Sequence, residues 1–393
     1  MLGIQATDDD MGATGDEGLP RRGISPARPG PSVVDAVEAV LRDHLGERME
    51  EARQTDAVFA QEVAGRVRDI ALRGGKRLRA QFLWWGWRAC GGGPAEGPET
   101  ENVLRVAAAL ELIQTCAVVH DDVMDRSPTR RGARAVHEDF ARQHSAAGMS
   151  GCPASFGTAG AVLAGDLALA WADDLLTATA LASRQGARLQ REWRAMRSEM
   201  VAGQYLDIRA AATGSTAVDQ AVRIACLKSA LYTVERPLAL GAALAGASDR
   251  TTDVLRSAGR SAGIAFQLRD DLLGVFGDPR RTGKPADDDL RDKKLTYLRA
   301  VALRLADESG AAAAAAALRA PGATLTDAQV REARAALEST GARRVVEARV
   351  GRLVHASERR LTALPGEPAA VAALGSLIRT AAGPASPHEE DAR

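Results

Sequence analysis

The sequence predicts an all-α fold, and three observations carry the prediction. Alanine, leucine and arginine dominate its 393 residues, aromatic residues make up only 4%, and strand-like alternation of Val, Ile, Thr and Tyr is scarce. The length suffices for one large helical core or two modest ones, so it leaves the number of domains open.

Taken in order, residues 1–30 mix Gly, Pro, Asp and Arg without periodicity, and 383–393 (Gly383, Pro384, Pro387, Glu389, Glu390, Asp391) read alike. Both ends are expected to be disordered tails around a structured 31–382. Between them, apolar residues recur at helical spacing in blocks near 33–45, 54–72, 77–90, 100–124, 160–180, 187–210, 217–246, 251–276 and 289–307, with shorter blocks to 380. The gaps carry turn chemistry: Gly91-Gly92-Gly93-Pro94, the stretch 145–160, Ala212-Thr213-Gly214-Ser215, and 278–285 with Pro279 and Pro285. The alanine run 311–317 favours helix by propensity alone.

Charge and cysteine usage exclude several classes. With 51 basic and 51 acidic residues the formal net charge is zero, so nothing overall steers the chain to nucleic acid or an anionic membrane. Cys90, Cys116, Cys152 and Cys226 are far apart and lack CxxC spacing, which argues against a zinc site or a disulfide framework and for a reducing cytoplasm. The N-terminus carries Asp8, Asp9 and Asp10 rather than a basic-then-apolar leader. No run reaches the roughly 18 uncharged apolar residues of a span, so no membrane span is expected.

Two acidic clusters follow strongly apolar helix. Asp121-Asp122-Val123-Met124-Asp125 comes after Ala117-Val118-Val119, and Asp121 and Asp125, four apart, share a helix face. Asp270-Asp271, with Asp278 beyond, follows the apolar run 258–268. A lone DDxxD is more often a solvated helix end, but two such clusters behind buried helix are harder to dismiss. Hard oxygen donors, few per ion, suit magnesium shared with substrate phosphates, and the glycine-containing calcium loop pattern is absent.

The cations are more specific. Only five lysines stand beside 46 arginines, and all five lie near suspected chemistry: Lys76 in Gly74-Gly75-Lys76-Arg77-Leu78-Arg79, Lys228, Lys284, and Lys293-Lys294. An ammonium serves as a point charge on phosphate, while the forks of Arg79, Arg130 and Arg131 grip two oxygens at once.

Together these residues resemble the trans-isoprenyl diphosphate synthase family, the farnesyl and geranylgeranyl type and its longer-chain relatives, from about residue 70 to 298. The resemblance implies a single-domain bundle of about ten or more core helices around a central cavity, working as a homodimer. It implies that Lys76, Arg79, Gln114 and Arg131 hold isopentenyl diphosphate. Arg130, Lys228, Ser229 and Lys284 would hold the allylic diphosphate and its leaving group, and Gln267 and Lys294 are further substrate-binding residues. Asp121, Asp122, Asp125, Asp270 and Asp271 would bind three magnesium ions, with Asp207 of Gln204-Tyr205-Leu206-Asp207 nearby. Asp121, Asp125, Lys228, Asp270 and Lys284 are the residues expected to carry catalysis. The sequence departs from the pattern at Gly274, where many relatives have a third aspartate, at Ala80 for a common proline, and at Lys293 for a common glycine.

In that scheme an allylic primer (dimethylallyl, geranyl or farnesyl diphosphate) ionises and isopentenyl diphosphate attacks the cation, with no nucleophilic side chain required. One helix turn below Asp121 stand Ala117 and Cys116, with Ile113 beneath, where shorter-chain relatives carry aromatic rings. A C20 product, geranylgeranyl diphosphate, is the expectation, with C15 or C25 and longer as alternatives. Leu163, Leu167 and Trp171 are candidates to close the pocket from a neighbouring helix. Two rivals weigh less. A class I terpene cyclase normally adds an Asn-first metal triad, and the chain has one asparagine, Asn102. A non-catalytic partner subunit would be free to lose the aspartates that are present here.

Overall fold

Helices do form almost throughout. The computed structural model describes residues 32–93, 97–130, 132–277, 287–321 and 324–383, so the expected tails, Asp278, Lys284 and Arg131 lie outside the described residues. Helix α1 (Val33–Thr55) starts in a capping box: Ser32 Oγ accepts from the Asp35 amide and the Asp35 carboxylate accepts from the Ser32 amide, each at 3.2 Å. Its Val37, Leu41, Leu45 and Met49 fall at spacing four and are buried. Helix α2 (57–72) joins Ala57–Phe59, a π-helical turn Ala60–Ala64 and Gly65–Leu72, and α3 is Leu78–Ala89.

Helix α4 (Pro98–Met124), with proline at its first turn, is followed by a two-residue antiparallel pair, Thr129–Arg130 with Ala133–Arg134. Then come α5 (Val136–Ala146), α6 (Pro153–Ala182), α7 (Gly186–Thr213) and α8 (218–244), the last built of Val218–Ile224, a long π-helical stretch Ala225–Glu235 and Arg236–Leu244. Helix α9 (Asp249–Phe276) is capped by Ser248. The remainder is α10 (Asp288–Arg291), α11 (Tyr297–Ser309), α12 (Ala312–Leu318), α13 (Asp327–Ser339), α14 (Ala342–Leu361) and α15 (Pro368–Ala382).

Helix α4 is the central rod. It packs on α6, α3 and α1, and its apolar side chains from Val103 to Val119 are buried on nearly every side. Helix α9 packs on α14 and on the π-helical stretch of α8, and α3 packs on the last part of α8. Small residues permit the α3–α8 crossing: a Cβ on Gly241 would stand 2.4 Å from the Leu83 carbonyl oxygen, and one on Gly86 2.9 Å from Leu238.

Two features were not expected. Helix α5 lies inside a stretch without an apolar block, because only Val136, Phe140 and His144 of its residues are buried. Helices α4 and α6 are long and apolar enough to cross a membrane; α4 is mostly buried within the protein, and α6 carries Asp166, Asp173 and Asp174 within its length. Asp173 accepts from Trp193 Nε1 at 2.6 Å and pairs with Arg197.

Candidate active site

The last turn of α4 gathers cations from three other parts of the chain. Lys228 Nζ, on the π-helical stretch of α8, donates to Asp121 Oδ1 at 3.1 Å and to Asp207 Oδ2 of α7 at 2.7 Å. Gln204 Nε2 adds a bond to Asp121 Oδ1 at 3.2 Å. Arg130, on the short β pair, donates from Nε to Asp122 Oδ1 at 2.7 Å and from Nη2 to Asp121 Oδ2 at 3.3 Å. Lys294 Nζ, in the loop after α10, donates to Asp125 Oδ2 at 2.7 Å and lies 3.6 Å from Asp289 Oδ1.

This arrangement keeps both signs of charge. Burial by itself would lift Asp121, but Lys228, Lys294 and Arg130 outweigh it and hold the carboxyl below the usual range. Burial by itself would depress Lys228 and Lys294; the surrounding aspartates, Asp121 and Asp207 for the first and Asp289, Asp125 and Asp121 for the second, push both above the usual lysine range. The carboxylate of Asp121 and both ammoniums are therefore ionised at neutral pH.

Backbone contact fixes Lys228. A Cβ on Gly203 of α7 would fall 2.3 Å from the Lys228 amide nitrogen, and one on Gly263 of α9 would fall 2.5 Å from the Ala230 carbonyl oxygen. Two helices thus close on the π-helical stretch from either side. Lys294 is held differently, by a turn in which Lys293 takes φ 53° and the Lys294 amide donates to Asp289 O at 2.9 Å. Glycine would suit that left-handed backbone better than the lysine that stands there. Lys293 instead donates its Nζ to Ala320 O at 2.5 Å, and Arg299 Nη1 donates to Lys293 O at 3.1 Å.

Two aspartates of the expected metal set are engaged by protein groups. Asp122 is 2% exposed and its Oδ1 is taken by the Arg130 fork. Asp271 is 6% exposed; Gln267 Nε2 donates to its Oδ1 at 2.8 Å and the Tyr297 amide to its Oδ2 at 3.3 Å. Burial pushes Asp271 up to about 7. Both carboxyls are thus bonded to protein groups, and Gln267 donates its amide to Asp271. The physical reason is helix geometry: residues i and i+1 point about 100° apart, so of each aspartate pair one faces inward. Asp270 is exposed. Beside Gly274, Asp289 Oδ2 lies 3.5 Å from where a Cβ would stand, so α10 brings a carboxylate near the missing third aspartate.

The basic loop meets α4 and α8 on another side. Lys76 is exposed. Arg79 Nη2 donates to Thr233 Oγ1 at 3.0 Å and its guanidinium lies 4.3 Å over the Tyr232 ring. Tyr232 Oη donates to Gln114 Oε1 at 3.0 Å. Tyr232, Thr233 and Asp289 are the contributors that sequence reasoning missed. Tyr232 left a usable signal: it is one of three tyrosines in the chain and stands four residues after Lys228. Ser229 is half-buried on the same stretch.

Below Asp121, Ile113 and Cys116 are buried and Ala117 is half-buried. Cys116 Sγ sits 3.7 Å from His120 Nδ1, and a Cβ on Gly165 of α6 would strike the His120 ring, so α6 lies close here. Trp171 and Leu167 belong to this core, but Leu163 is 60% exposed and cannot close a pocket from α6.

Residues 61–337 match the family model described as polyprenyl synthetase. A geranylgeranyl diphosphate synthase of Mycobacterium tuberculosis is 33% identical over 276 residues, 70% of this chain and 71% of that protein. A geranylfarnesyl diphosphate synthase of Aeropyrum pernix is 31% identical over 239 residues, 60% of this chain and 69% of that protein. A solved geranylgeranyl pyrophosphate synthase of Corynebacterium glutamicum, complexed with isoprenyl diphosphate and magnesium, superposes with a TM-score of 0.82 at 39% identity, covering 89% of this chain and 99% of that one.

Proposed function

The chain belongs to the polyprenyl synthetase family and is a trans-prenyltransferase, and from that premise we propose that it condenses isopentenyl diphosphate head-to-tail with an allylic diphosphate to make geranylgeranyl diphosphate. The observation that carries this reading is the cluster in which Lys228, Lys294 and Arg130 converge on Asp121 and Asp125, a site rich in both signs of charge beside a separate basic loop. A diphosphate with magnesium satisfies both signs at once. A terpene cyclase, with one diphosphate to bind, would leave Lys76 and Arg79 without a task.

The donor set suits magnesium. The carboxylates offer hard oxygens, and Asp121 and Asp125 stand four apart at the end of one helix with ammoniums against them. That is the sparse protein contribution expected of an ion that keeps waters and substrate phosphates in its shell. Asp121 and Asp125 on one helix and Asp270 on the other would each contribute to holding the three ions, which when bound supply charge neutralisation for the departing diphosphate.

Lys228, Lys294 and Arg130 would turn toward the allylic diphosphate and donate to its oxygens as the C1–O bond breaks. Lys284 and Ser229 belong to the same proposal. Lys76, Arg79, Gln114 and Arg131 would fix isopentenyl diphosphate so that its double bond attacks C1. A new C–C bond forms, C2 of the added unit loses a proton, and the released pyrophosphate takes it. Side chains position and exclude water; none becomes a nucleophile.

The C20 length rests on Ala117 and Cys116, which are small where a ring would end the pocket, above buried Ile113. Purified protein given labelled isopentenyl diphosphate, magnesium and each allylic primer in turn is expected to yield a C20 alcohol after dephosphorylation, and no product with chelator. Cys116→Phe should shift the product to C15. An unshifted product removes the pocket assignment, and no elongation from any primer removes the reaction. We further propose a cytoplasmic homodimer, supported by the free cysteines and by the exposed Leu163 and Leu181 of α6, apolar surface that a second copy would cover.

A further inference from the structure

The basic loop contains one cation that never reaches the cleft. Arg77, between Lys76 and Arg79, is 7% exposed and points into the junction of three helices. Its Nη1 donates to Glu111 Oε2 of α4 at 2.9 Å, its Nε to Glu38 Oε1 of α1 at 3.2 Å, and its Nη2 to the Ala71 carbonyl of α2 at 2.8 Å. Its backbone is left-handed, at φ 46°, after Gly74 at φ 80° and Gly75 at φ 140°. A non-glycine residue keeps that conformation only where its surroundings over-determine it.

We propose that Arg77 is the positioning residue of the isopentenyl diphosphate half-site; this rests on the reading that Lys76, Arg79 and Gln114 bind that substrate. Glu111, 6% exposed, lies three residues before Gln114 on α4, so the Arg77–Glu111 pair ties the loop to the helix at the depth of Gln114. Arg77 also opens α3: its carbonyl accepts from the Gln81 amide at 3.0 Å, and Arg79 stands in the first turn that follows. One inward fork therefore sets the base from which Lys76 and Arg79 are presented, at a fixed distance from Gln114. Three acceptors in three directions demand a planar fork, which lysine cannot supply.

Arg77 touches neither substrate nor the Asp121 cluster, so its loss should weaken one substrate selectively. In the full chain, Arg77→Lys is expected to raise the KM for isopentenyl diphosphate about tenfold or more, with the KM for the allylic primer within about twofold. Glu111→Gln, a milder change that keeps the volume, should move the same constant in the same direction and carries the test if Arg77→Lys fails to fold. A lowered Tm with both KM values unmoved, or an equal rise in both, would overturn the proposal and leave Arg77 a stabiliser only. Lys76→Ala is the companion control: if it leaves the isopentenyl diphosphate KM unmoved, the assignment of the loop is what fails, and the proposal falls with it.

Discussion

The two aspartate clusters end similar apolar helices yet live in opposite surroundings. At the end of α4, Asp121 and Asp125 are met by Lys228, Arg130 and Lys294. At the end of α9, Asp271 is buried against neutral donors, the Gln267 amide and the Tyr297 amide, and rises to about 7. The same two-letter pattern thus yields an Asp121 carboxylate held ionised by cations in one place and an Asp271 carboxyl raised by burial in the other. A motif names residue types; the charges packed around it decide what they do.

The largest expected effect breaks the first cluster. Asp121→Asn should lower kcat by about a thousandfold or more, roughly 4 kcal/mol of transition-state stabilisation, with the helical circular dichroism unchanged. A loss under tenfold would mean that the cations at α4 do not serve a diphosphate. The second pair separates the neighbours within the other cluster: Asp270→Asn is expected to cost about a hundredfold or more, and Asp271→Asn less than about tenfold, since Asp271 is buried against protein donors and the asparagine amide keeps one of the two acceptors. Equal losses would return Asp271 to the cleft.

The smallest effect concerns pH. Asp271 has its folded pKa raised from 3.8 to about 7, so the folded state keeps a proton that the unfolded chain releases. Its contribution to stability is complete below the unfolded pKa and is lost as pH rises through about 7. Without magnesium, the Tm of the wild type should fall relative to Asp271→Asn between pH 5 and 8 by a few degrees, about 1–2 kcal/mol for a chain of this size. Parallel Tm curves would mean the Asp271 environment is more polar than its neighbours suggest.

Much of this was legible in the sequence, for physical reasons. Helical periodicity located α4 and α9, and the scarcity of lysine marked Lys228 and Lys294. Helix α5 escaped because its one buried stripe is narrow and its other residues are polar. The π-helical stretch 225–235 escaped because its hydrogen bonding depends on α7 and α9 crowding it, which no local propensity encodes. The fates of Asp122 and Asp271 were within reach: adjacent helical residues diverge, so a pair behind an apolar face must send one carboxyl inward.

The glycines at 203 and 263 reach further than the placement of one lysine. With backbone against backbone on both sides, the stretch that carries Lys228 has no slack to give, because close-packed atoms move only by displacing their neighbours. The loop that carries Lys294 is held by a turn and side-chain bonds, which break and reform far more readily. Of the two jaws around the Asp121 cluster, one is an anvil. A side chain added at Gly203 or Gly263 would press directly on the backbone that carries Lys228, whereas Lys294 rests on a turn and side-chain bonds.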